Sequence, residues 1–88
     1  MELILDGKII LNKSILYKQL KMQINNEEFI GENLDALWDV LTMYNKITII
    51  IKNDVLLKRN LNNYYDSLII LFEDLVKINE NNKIIYER

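Results

Sequence analysis

The chain opens with a short apolar run, Leu3-Ile4-Leu5 after Glu2, stopped by Asp6-Gly7. That pattern predicts a strand over 2–5 followed by a turn. Lys8 to Leu11 fits either an extension of the strand or the connection beyond it. From there the period changes. Leu16, Leu20 and Ile24 recur at i, i+4 and i+8, which predicts a helix over 15–24 with Ser14 as its N-cap. Asn25-Asn26 ends it, and a loop runs to Gly31. Asn33 is placed to cap a second helix reaching about Met43, with Leu34, Leu37, Trp38 and Leu41 as its buried stripe. Ile47-Thr48-Ile49-Ile50-Ile51 is rich in β-branched residues throughout, the pattern of a strand covered on both faces in a parallel sheet. Asn53-Asp54 offers a cap for a short helix over about 55–59. A longer helix follows Asn62-Asn63, with Tyr64 or Tyr65, Leu68, Leu71, Phe72, Leu75 and Val76 facing inward. Asn79 to Asn82 breaks that helix, and 83–87 reads as a closing strand.

The order is β-α-α-β-α-α-β. Helical crossovers between successive strands imply an α/β fold with a three-stranded parallel sheet and right-handed connections. There is no proline, no internal repeat and no linker composition, so residues 1–88 are expected to form one domain.

Composition narrows the chemistry. The 88 residues include no cysteine and no histidine. The first absence removes disulfides and thiolate metal sites, and the second removes the commonest general base and metal ligand. Serine occurs only at Ser14 and Ser67, and glycine only at Gly7 and Gly31, so neither a serine triad nor a glycine-rich phosphate loop is available. No cofactor is expected. No apolar run approaches the roughly 20 residues that span a bilayer, and the start of the chain lacks the charged and apolar regions of a signal peptide. A cytoplasmic protein without a membrane segment is the expectation.

The net charge of −2 conceals an asymmetry. Between Met22 and Asn45 there is no Lys or Arg, yet the segment carries Glu27, Glu28, Glu32, Asp35 and Asp39. The rest of the chain holds 11 basic against 8 acidic residues. Asp35 and Asp39 lie four apart on a helix face other than the apolar one, and no i,i+4 cation offsets their repulsion. A solvated helix face is the ordinary reading of an acidic run. An uncompensated patch of this kind also steers a cationic partner, and it repels nucleic acid.

Gly31-Glu32-Asn33-Leu34-Asp35-Ala36-Leu37-Trp38-Asp39, with Leu41-Thr42 after it, resembles the signature segment of the barstar family of ribonuclease inhibitors. The early Asp-Gly turn, the central aliphatic strand and the long helix before the last strand are similar to that family as well. The resemblance implies a one-to-one, monomeric inhibitor that fills the basic active site of a secreted barnase-type ribonuclease with an acidic loop and helix, about residues 27–44. Asp39 would occupy the position of a substrate phosphate and accept charge-assisted hydrogen bonds from arginines. Asp35 would accept from backbone amides and positive groups at the rim. Gly31 would allow close approach of its loop, and Asn33, Leu34, Trp38 and Thr42 would line the contact. Phe29, where the family usually has tyrosine, and Tyr44, where tryptophan is common, would also meet the partner, while Val40 stands where cysteine often occurs. Asp74 matches a rim acid on the long helix. A second rim acid falls on Ile78, or on Glu80 if the loop shifts.

Two other readings remain open. A barstar-like module with a different cationic partner keeps the fold and the acidic helix. A carboxylate enzyme would use Glu32, Asp35 and Asp39 as oxygen ligands for Mg²⁺, although nothing basic nearby would hold a substrate phosphate.

Overall fold

The computed structural model describes residues 1–87. Its elements run β1 (Glu2–Asp6), α1 (Lys13–Ile24), α2 (Leu34–Leu41), β2 (Thr48–Lys52), α3 (Asp54–Leu61), α4 (Asn63–Ile78) and β3 (Lys83–Glu87). The three strands form one parallel sheet in the order β1-β2-β3. This is the predicted α/β architecture and element order. Lys8 to Leu11 belongs to the connection, where Ile10 turns inward and is buried.

Parallel strands in sequential order, joined by crossovers of the usual hand, receive their helices on the same face. Burial follows that rule. Leu3, Leu5, Ile49 and Ile51 point to the helices and are fully buried. On the other face Ile4, Ile50 and Ile85 stand in one row across the register, and Ile4 and Ile85 are 39% and 41% exposed. The expectation that the central strand is covered on both faces is therefore corrected: β2 is covered on one face and half-open on the other. Strand β1 lies at the sheet edge, and Gln23 of α1 closes that edge. Its side-chain amide accepts from the Ile4 N–H at 2.7 Å and donates to the Ile4 carbonyl at 2.8 Å, as a neighbouring strand would.

The helix starts are set by asparagine. The N-cap of α1 is Asn12, whose side chain accepts from the Ile15 N–H at 2.9 Å, and Ser14 lies inside the first turn rather than capping it. Asn33 caps α2 as predicted, accepting from the Ala36 N–H at 2.8 Å. The three non-glycine residues with positive φ among those described, Asn25, Asn53 and Asn62, are all asparagines, the residue that tolerates this region best after glycine. Asn82 is buried. It accepts from the Ile47 N–H at 2.8 Å and donates to the Leu75 carbonyl at 2.9 Å, tying the end of α4 to the entry of β2.

Gly7 is required by space. A Cβ there would come within 2.3 Å of the Asn53 carbonyl oxygen and 2.5 Å of the Leu57 nitrogen. The start of α3 thus sits directly on the Asp6-Gly7 turn. The Asp6 carboxylate accepts from the Lys8 N–H and from Asn53 Nδ2, and these two hydrogen bonds hold its carboxyl below the usual carboxylate range.

Candidate acidic contact surface

Helix α2 divides cleanly into two sides. Leu37, Val40 and Leu41 are buried in the core. Asp35 and Asp39 are exposed on the opposite side, about 170° away at 100° per residue. Leu34 and Trp38 lie between the two and are half-buried. The predicted stripe is thus rotated: Val40 takes an inward position, and Leu34 and Trp38 move to the flank. The helix ends at Leu41 rather than Met43, and Thr42 caps it. The Thr42 N–H donates to the Trp38 carbonyl, and its Oγ1 donates to the Asp39 carbonyl, each at 3.0 Å. Asp35 occupies the first turn, where the helix dipole favours an anion.

On the flank of α2 the structure brings together residues far apart in the chain. Leu34, Asp35, Trp38, Ser67, Ile70, Leu71 and Asp74 line a shallow cleft of about 250 Å³ between α2 and α4. Four of the ten residues expected to meet a partner, Leu34, Asp35, Trp38 and Asp74, therefore share one surface feature. A larger hollow beside β1 and α1, about 490 Å³, shares none of these residues.

The loop before α2 is fastened from several sides. Lys21 of α1 donates to the Ile30 carbonyl at 2.8 Å, stands 3.7 Å from the Glu32 carboxylate, and lies 5.5 Å from the centre of the Phe29 ring. Asn26 Nδ2 donates to the Tyr44 hydroxyl at 3.3 Å, so Tyr44 joins the loop to the turn after α2. Phe29 is only 5% exposed and packs edge-on against Tyr17. Its ring anchors the loop from inside, where it has little surface to offer a partner. The neighbouring Ile30 is 79% exposed, a position that the apolar pattern alone does not single out. Gly31 has no positive φ, but a Cβ there would press on Asn33 Nδ2 at 2.9 Å and Ala36 Cβ at 3.0 Å. A side chain at this position would thus crowd the residue that caps α2. Asn33 spends its side-chain oxygen on that cap.

The electrostatics are one-sided. Among the described residues the ion pairs are Lys21–Glu32, Lys52–Glu87 and Lys77–Asp74. None involves Asp35 or Asp39. No three acidic side chains converge as a metal cage among the described residues, so Glu32, Asp35 and Asp39 do not form the Mg²⁺ site that their spacing allows.

Among the described residues Lys21 is the one cation bound to the loop, and its removal gives a local test. In Lys21→Met, amide exchange at Phe29 and Ile30 is expected to speed by about ten-fold with the melting point nearly unchanged. Unaltered exchange would show that burial of Phe29 alone holds the loop.

The chain is thus an α/β domain with an exposed acidic helix, pinned at its entry loop by Lys21 and bordered by α4. The family model described as "Barstar (barnase inhibitor)" matches residues 1–86. The chain belongs to the barstar family. It is also similar to a Bacillus subtilis (strain 168) protein named "Putative ribonuclease inhibitor YrdF", 32% identical over 89 residues that cover 98% of each chain. No helix among the described residues is long and apolar enough to cross a membrane.

Proposed function

We propose that this chain acts as a single cytoplasmic domain that inhibits a secreted barnase-type ribonuclease, one to one, by filling the enzyme's basic active site with the loop and helix of residues 27–44. The observation that carries the reading is the pair Asp35 and Asp39, exposed on a well-packed helix with no basic side chain among the described residues in ion-pair contact. Carboxylates left unpaired in the free protein keep their hydrogen-bonding capacity for a partner, and a ribonuclease cleft supplies the donors. Asp39 takes the place of the substrate phosphate, and Asp35 and Asp74 meet positive groups at the rim. Family membership and the name of the Bacillus subtilis relative support the same role. The pinned loop lowers the ordering cost of binding. A host that makes a toxic ribonuclease needs an inhibitor that captures any copy remaining inside.

An activity titration tests this directly. Added to a barnase-type ribonuclease cleaving a fluorescent RNA, the protein is expected to abolish activity at one equivalent. Its association rate is expected to fall by roughly ten-fold or more between low and near-molar salt, because steering by exposed charge is screened. An on-rate indifferent to salt would count against charge steering. A folded protein that leaves the enzyme active would point to a different cationic partner for the same acidic helix, to be sought by pull-down from the source cells.

A further inference from the structure

The acidic surface has an apolar continuation on α4. Ile70, Asp74 and Ile78 are spaced i, i+4 and i+8 and form one line along the helix. Ile70 is 57% exposed and Ile78 is 61% exposed. The core needs neither of them, since Leu68, Leu71, Phe72 and Leu75 supply the buried side of this helix. Elsewhere the exposed positions of α4 are polar, as at Asp66, Ser67, Glu73 and Lys77. Two isoleucines bracketing a carboxylate are thus a departure from the helix's own pattern.

We propose that Ile70 and Ile78 make this rim of the partner-binding surface apolar around Asp74, and that they select a ribonuclease whose rim carries apolar side chains around the cation that meets Asp74. The inference rests on the inhibitor reading above and specifies the partner it fits. Two observations commit the surface to that occupant. Ile70 and Asp74 line the same cleft as Asp35 and Trp38, so an enzyme seated on α2 reaches the first part of the line without a gap. The charge is complementary too: among the described residues Asp74 pairs only with Lys77, at i,i+3 and 3.9 Å, and it stays available to a cation on that rim. Apolar side chains around a few desolvated charge pairs exclude water from them, which lengthens the life of a complex more than it speeds its formation.

The test uses the full chain and two sets of barnase-type ribonucleases, one with apolar and one with basic side chains beside the cleft. Wild type is expected to dissociate more slowly from the apolar set. Ile70→Ser should raise the dissociation rate from that set by about ten-fold, and Ile78→Ser should add to it, with the association rate and its salt dependence unchanged. Ile78→Glu should shift preference toward the basic set. Melting curves check that these surface variants remain folded. An unchanged dissociation rate, on an enzyme that wild type inhibits and Asp39→Ala releases, would overturn the proposal while leaving the inhibitor reading intact. Inhibition of no member of either set would remove the reading and the proposal together.

Discussion

Asp39→Ala is expected to weaken ribonuclease binding by roughly thirty-fold to several-thousand-fold and to leave folding almost unchanged. The two halves of that expectation come from the same helix. Asp39 is exposed, in no ion pair among the described residues, and placed away from Leu37, Val40 and Leu41. Losing its carboxylate removes no packing and no ion pair of the free protein. In a complex the opposite holds. A carboxylate seated among arginines is desolvated together with them, and its removal leaves buried cations without a partner, which costs about 2–5 kcal/mol. Asp35→Ala should cost less, because its site at the rim stays nearer to water. Calorimetric titration with melting curves on both variants checks the order. If Asp39→Ala unfolds the protein or binds as wild type does, the phosphate-mimic role is wrong.

Leu37→Ala should lower stability by about 2–5 kcal/mol, a large part of the roughly 5–10 kcal/mol expected for a domain of this size. Leu37 is fully buried among the core residues beneath α2. Truncation leaves a cavity that rigid neighbours fill only in part. The denaturant midpoint reports this effect with no ribonuclease present. A variant that still folds should bind at low temperature with nearly wild-type affinity, because the side bearing the acids is untouched. The substitutions Leu37→Ala and Asp39→Ala thus separate the two sides of one helix, packing from recognition. A near-zero change in midpoint would mean the faces of α2 have been wrongly assigned.

Local patterns carried much of this molecule into view. Strand β3 over 83–87 and the Asn33 cap of α2 stand where the sequence puts them. Other boundaries move by one or two residues, as at the end of α2, because fraying termini are set by which caps win. Asn12 wins over Ser14 at the start of α1 since its side chain reaches the Ile15 N–H. Asparagine abundance, which as composition suggests only a coding bias, has a structural use. The side chains of Asn12, Asn33 and Asn82 carry structural hydrogen bonds, and Asn25, Asn53 and Asn62 hold the positive-φ backbone.

Spacing made the candidate site legible where one local segment carries it; where two elements meet, only the family resemblance pointed to Asp74. Nothing in the spacing of Asp74 relates it to Asp35, yet the packing of α4 beside α2 places both in one cleft. Nor does sequence distinguish Phe29 from Ile30. Both are apolar, and only the contact of Phe29 with Tyr17 and Lys21 decides that one turns inward and the other outward.

By itself the sequence determined the order of elements, the parallel sheet and the acidic helix, because periodicity, turn chemistry and charge are properties of neighbouring residues; the family came from the resemblance of the segment 31–42 to its signature. Tertiary structure alone decided which face of the sheet stays open, that Trp38 flanks α2 instead of filling its core, and that Ile70 joins Asp74 in the cleft beside the acidic surface. These depend on how elements distant in sequence pack against one another, and burial is a property of that packing, not of the residue.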